Sequence, residues 1–391
     1  MQAFLQKHRW VILATGAAIQ VLTGVPAAWG VFRAAVAAEF TFGEDASVMI
    51  FSLTIAFFGI GCVIGGFLQD KKGPRVAGLA GAVLLCTGFC GASFLPAQRE
   101  WLFYLVYSVP VGLGCAFLYP AVMSTAQKWY ADKKGLATGI VGGAVGASGA
   151  VLTLSGRALI NAVGIRWTFF TLGAVMLVVC GIGAAILENP KHEAAQKEAK
   201  EKNYTVGEML RTKQYYLLFA VACLATPAVL LFSPVIVELG QQRGLSETAA
   251  LSAIIIGSLF SAAGRLLMPW LSDKIGRRYT DLAIFAALIG FSFWFKSAEG
   301  LWVIVVYSLL TFCYSGEAAV LPAATSDLFG KRSAGVCYGF VALGMSLGSV
   351  AFPLLARMLG GGAMPHYLAM GAAALGFVAA FLLKPTQGER L

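Results

Sequence analysis

Apolar residues run through this chain in long stretches separated by polar turns. Stretches of roughly 18 or more recur along its whole length, each enough to cross a bilayer as a helix. They predict twelve spans, near 9–36, 47–68, 76–96, 101–126, 135–160, 166–187, 214–238, 249–272, 279–296, 300–324, 333–358 and 366–384. The expected fold class is an all-α integral membrane protein. Two connections are longer than the others: an acidic one around Ala38 to Ala46, and residues 188–213. The second, ENPKHEAAQKEAKEKNYTVGEMLRTK, is rich in Lys and Glu and reads as a solvated, partly helical tether. It divides an N-terminal six-helix half, 1–187, from a C-terminal half, 214–391.

Composition agrees with the pattern. Of 391 residues, 58% are hydrophobic and 12% charged, where a soluble domain carries about 25%. The net charge of +10 does not indicate nucleic-acid binding, because the basic residues sit in short loops between apolar runs. Of 29 Lys and Arg residues, 21 fall on one side of the predicted spans, which places both termini and the tether in the cytoplasm. The sequon Asn203-Tyr204-Thr205 then lies on the inner side and is expected to carry no glycan. Lys7-His8-Arg9 leads straight into the first run without a small-residue cleavage site, so no cleaved signal is expected. All eight cysteines lie inside apolar segments, with no CxxC and no paired His, so neither a metal site nor a cofactor is expected. No nucleophile–base constellation suggests an enzyme.

One charge interrupts the eighth run between Ile254 and Leu271, and it is Arg265. A guanidinium stays protonated at any accessible pH. Placing one mid-helix costs about 2.5–3.5 kcal/mol on insertion scales, so it normally faces a watery path or an anionic partner. Glu317 is similarly deep in the tenth run. Desolvation disfavours the charged form of such a carboxyl. It could carry a proton, pair with Arg265, or simply face a cavity. Arg33, Glu238, Arg157 and Arg357 lie near outer span ends, and Lys128 near an inner end, where snorkelling to water accounts for them. Pro227 and Pro234 in the seventh run and Pro322 in the tenth permit bends.

The two halves echo one another. Gly66-Phe-Leu-Gln-Asp70-Lys-Lys-Gly73-Pro-Arg75 closes the second run, and Trp270-Leu-Ser-Asp273-Lys-Ile-Gly276-Arg277-Arg278 closes the eighth. In each, Asp70 or Asp273 caps the next helix or pairs with basic side chains. Gly73 or Gly276 makes the tight turn, and Arg75 or Arg277 meets the interface. On this repeat the chain resembles the major facilitator superfamily over essentially its full length. The resemblance implies two parallel six-helix halves, alternating access, a monomer, and a multi-pass place in a bacterial-type inner (plasma) membrane.

The fifth run opens Trp129-Tyr-Ala-Asp132-Lys133-Lys134-Gly135-Leu-Ala137-Thr-Gly139 and continues through Gly142, Gly143, Gly146 and Gly149. This string resembles the signature of the monocarboxylate transporter family, although glycines at this spacing also permit close helix packing. Gly24-Val-Pro-Ala-Ala-Trp29-Gly-Val-Phe32 resembles the first-span pattern of the neighbouring oxalate–formate exchanger group, with Ala27 where that group has tyrosine. Lys202-Asn-Tyr204-Thr205 and Gln214-Tyr215-Tyr216 resemble its entry to the seventh span. Tyr119 matches a pocket tyrosine of that group, and Arg265 matches the arginine both groups use for the substrate carboxylate. The resemblance implies a central cavity lined by Trp29, Tyr119 and Tyr314. Aligning Tyr338-Gly339 puts Met345 where the exchanger group has a lysine. Animal-type monocarboxylate transporters carry an Asp one turn before the arginine; here that position is Ser261.

The expected function is secondary transport of small monocarboxylates of the lactate and pyruvate class, proton-linked, with Arg265 as anchor and Glu317 as the proton-coupling candidate. The alternative is an anion exchanger of the oxalate–formate type. A non-transporting receptor on the same scaffold would be expected to add a soluble signalling segment.

Overall fold

The computed structural model describes residues 6, 8–130, 134–190, 204–330 and 334–383. Their regular structure is entirely helical. Ten of the helices are long and apolar enough to cross a membrane. An eleventh span is the pair Trp10–Thr23 and Val25–Phe40, bent by 47°. The helix Lys134–Ile186 has 53 residues, about 80 Å at ~1.5 Å per residue, against a hydrocarbon core of ~30 Å. It breaks at Gly164, whose φ of 76° and ψ of 170° suit glycine. With a span on each side of that break, the twelve expected spans are all present.

Proline and glycine place the other breaks. Pro26 lacks an amide hydrogen and sits in the 3-10 turn that bends the first span. The seventh span, Lys213–Gln242, is interrupted at both expected prolines, with Pro227 opening a short helix and Pro234 lying in a 3-10 turn. The tenth, Leu301–Phe329, runs unbroken through Pro322. There the bend is not needed.

Two helix pairs hold the halves together. The second span, Glu44–Lys72, packs on the eleventh, Ala334–Met358: Ser349 donates to the Ser52 carbonyl at 3.2 Å and Ser346 to the Ile55 carbonyl at 3.4 Å. A Cβ on Gly339 would sit 2.8 Å from the Val63 backbone. The fifth span packs as closely on the eighth, Glu247–Ile275, through Gly146 against Ala262 and Gly149 against Ser258. Small residues let membrane helices approach this far, since lipid tails give no hydrophobic drive to associate.

Snorkelling does not account for Arg33, whereas Arg157 and Arg357 do reach water at the outer ends of their spans. Arg33 is 7% exposed and pairs with Glu238 at 2.7 Å. Arg157 pairs with Glu247 at 3.3 Å, and Arg357 with Asp45 at 3.2 Å. Each pair joins the first half to the second at the outer ends of the spans. The buried Arg33 has an acid as its partner, while the exposed Arg157 and Arg357 pairs add little beyond their contact with water.

The repeated turns match. Gly73 has φ 86° and ψ 168°, and Gly276 has φ 94° and ψ 151°. Neither following helix has a side-chain cap, and Asp273 pairs with a basic side chain instead. Asp273 meets Arg277 at 2.6 Å, and Arg277 also binds Asp327 at 3.0 Å and the Ser272 hydroxyl. In the first half Asp70 is acted on by Lys128, while Arg75 reaches Glu188 at 3.8 Å. Lys133 and the side chain of Lys134 lie outside the described residues, as do tether residues 191–203, including Asn203. Within the tether, Thr205 and Glu208 form a capping box on the helix Val206–Met209.

Candidate functional site

Arg265 lies ten residues from the inner end of the eighth span, about 15 Å at ~1.5 Å per residue. Local sequence explains how other helices reach it. Gly264 next to it abuts the Phe312 carbonyl of the tenth span, so closely that a Cβ there would overlap it. Thr311 donates to the Gly257 carbonyl at 3.0 Å, and the Ser261 and Ser315 hydroxyls bond at 2.6 Å. Ser261 thus fastens the eighth span to the tenth. On the other flank Gly142 of the fifth span leaves room for the arginine stem; a Cβ there would lie 3.7 Å from the Arg265 Cβ.

Three tyrosine hydroxyls interact electrostatically with Arg265: Tyr119 of the fourth span (Val109–Trp129), Tyr314 of the tenth and Tyr338 of the eleventh. All three are buried, and the buried Arg265 Nε has no hydrogen-bond partner. A fixed cation with an unpartnered Nε, interacting with hydroxyls from both halves, suits a small anion chemically. Tyr338 was not expected here. In the sequence it reads only as a register mark for the eleventh span, and its proximity to Arg265 depends on helix packing.

The remaining candidates divide. Met345 is buried seven residues beyond Tyr338, two turns along the same helix face. Trp29 is 2% exposed; its indole donates to the Ser47 carbonyl at 3.0 Å and its ring packs 5.6 Å from Tyr107. Those contacts are packing contacts. Glu317 is 1% exposed, and neither carboxylate oxygen has a partner, so the structure holds no Glu317–Arg265 ion pair. Its electrostatic neighbours include Tyr314 and Tyr338, on which Arg265 also acts. A second buried acid, Asp281 of the ninth span (Arg277–Ser297), also acts on it. Asp281 went unnoticed because, four residues past a basic turn, it reads as an interfacial charge.

The fifth-span glycines do what their spacing suggests. A Cβ on Gly146 would overlap the Ala262 backbone, one turn from Arg265. Backbone cannot swing aside like a flexible side chain, so Gly146→Ala must push the helices apart. We expect that variant to insert normally and lose most transport, measured as uptake per unit of protein in proteoliposomes.

A D-xylose-proton symporter of solved structure superposes with a TM-score of 0.71, covering 98% of this chain and 99% of the other at 15% identity. An MFS-type transporter of Escherichia coli (strain K12), YhjX, is 28% identical over 88% of this chain and 87% of its own. The oxalate:formate antiporter of Oxalobacter formigenes is 26% identical over 85% and 80% of the two chains. Human monocarboxylate transporter 11 is 25% identical over 73% of this chain and 61% of that one. Residues 13–353 match the Major Facilitator Superfamily profile. With its helical fold and this match across most of its length, the chain belongs to the Major Facilitator Superfamily.

Proposed function

We propose that this facilitator moves small monocarboxylates by alternating access, with Arg265 as carboxylate anchor and Tyr119, Tyr314 and Tyr338 as hydrogen-bonding neighbours. The observation that carries the reading is the unpartnered Arg265 Nε at mid-membrane depth among three tyrosines. An anion enters a low-dielectric site only if a fixed cation offsets its lost hydration. Two similar proteins, named as an oxalate:formate antiporter and a monocarboxylate transporter, support carboxylates as the cargo class. The test is uptake of labelled lactate, pyruvate, a bulkier monoacid and oxalate into proteoliposomes, with and without a pH gradient. Saturable monoacid uptake supports the reading; transport of none of these acids overturns it.

Proton coupling through Glu317 belongs to the same proposal. Glu317→Gln is expected to abolish accumulation driven by a pH gradient and leave substrate counterflow intact, since exchange needs no proton release. Loss of both activities would assign Glu317 a structural role. Unchanged gradient-driven accumulation would remove it from coupling. An exchanger of the oxalate–formate type is the second reading, favoured by the similarity to the antiporter. It predicts counterflow without any response to pH.

A further inference from the structure

Asp281 and Glu317 are both 1% exposed, and three of their four carboxylate oxygens are buried without a hydrogen-bond partner: Oδ1 of Asp281 and both oxygens of Glu317. Buried polar groups are nearly always bonded, so three such atoms on two neighbouring acids need an occupant. Among the described residues no hydrogen bond or ion pair reaches these three oxygens. Arg277, one turn before Asp281 and the cation that acts on it, already binds Asp273 and Asp327. The eighth span offers only Arg265 between Glu247 and Asp273, directed to the tyrosines. The seventh span carries no charged residue between Lys213 and Glu238, nor does the eleventh between Arg332 and Arg357. In the twelfth, His366 is engaged with Arg243 at 3.0 Å, and no charge follows before Lys384. The titratable neighbours facing Glu317 are therefore Asp281, Tyr314 and Tyr338.

Helix register sets the two acids side by side. Asp281 stands 16 residues before Ser297 and Glu317 stands 16 residues after Leu301, so both lie about 24 Å from the outer turn that joins the two helices. We propose that Asp281 and Glu317 together form a proton-binding site between the ninth and tenth spans, with Asp281, one turn from Arg277, as the member nearer the Arg277 network. A single proton shared by the pair removes one buried charge and supplies a donor to an empty acceptor. Two ionised carboxylates there would face each other unneutralised, at high cost. In transfer, the O–H bond at Glu317 breaks as one forms at Asp281, and the negative charge moves the opposite way. Asp281 then releases the proton beside Arg277 to cytoplasmic water.

The proposal deepens the carboxylate-transport reading but depends on it only for the choice of cargo. Its test is therefore split. Infrared spectra of the reconstituted protein in H2O and D2O are expected to show a protonated-carboxyl band at neutral pH that is absent from the Asp281→Asn/Glu317→Gln double variant. This readout uses no substrate. Separately, Asp281→Asn should lose pH-driven accumulation of whichever monoacid the unmutated protein transports, while its counterflow stays within about twofold. Identical infrared bands in the two proteins overturn the proposal, as does full pH-driven accumulation by a folded Asp281→Asn variant. Accumulation that follows a sodium gradient in place of pH overturns it too. If the unmutated protein transports no carboxylate, the function proposed above fails while the infrared result still decides this one.

Discussion

Arg265→Lys should insert and fold normally and yet lose transport almost completely. Lysine keeps the charge and loses the planar fork that holds a carboxylate by two parallel bonds. Each hydrogen bond to a charged group is worth about 1.5–3 kcal/mol, so losing one arm costs roughly tenfold to a hundredfold in affinity. The geometry adds to this. Gly142 and Gly264 shape the space around the stem for an arginine whose Nε is free for a ligand. A flexible ammonium would instead collapse onto the hydroxyls of Tyr119, Tyr314 or Tyr338, the groups now in the arginine's field. The measurement is initial uptake in proteoliposomes, with gel filtration and thermal melting to establish that the variant is folded. Uptake at the unmutated rate would take Arg265 out of the site.

The spans were legible because each needs an apolar run of bilayer length, which is a local property. So were the breaks at Pro227 and Pro234, and the matched turns at Gly73 and Gly276, since proline and glycine act on their own backbone. The break at Gly164 falls in the gap expected between the fifth and sixth runs. What the sequence concealed is pairwise. Arg33 reads as an outer-end residue, and its partner Glu238 lies 205 positions away. Asp281 and Glu317 are separated by a whole connection and most of two helices, so only packing brings them together. Tyr338 joins Tyr119 and Tyr314 for the same reason. Arg265 was legible because a lone charge in an apolar run needs a reason wherever it points.

The second large effect concerns the charge of the cargo. The exchanger group, as the resemblance has it, opposes its arginine with a lysine in the eleventh span, where this chain has Met345. Met345 is buried two turns from Tyr338, and no Lys or Arg occurs between Arg332 and Arg357 to replace the missing cation. A dianion beside Arg265 would leave one carboxylate without a fixed countercharge, and an uncompensated buried charge costs several kcal/mol. At about 1.4 kcal/mol per tenfold, even 3 kcal/mol excludes oxalate by roughly a hundredfold relative to a monoacid. The thioether favours an apolar tail, so lactate, pyruvate or a slightly larger acid should bind saturably. Met345→Lys should invert the order, weakening monoacids by replacing that apolar surface with a charge, and admitting oxalate. Thermal-shift titrations of both proteins with lactate, pyruvate, a bulkier monoacid and oxalate measure this directly. Stronger stabilisation of the unmutated protein by oxalate than by any monoacid would sink the single-cation argument.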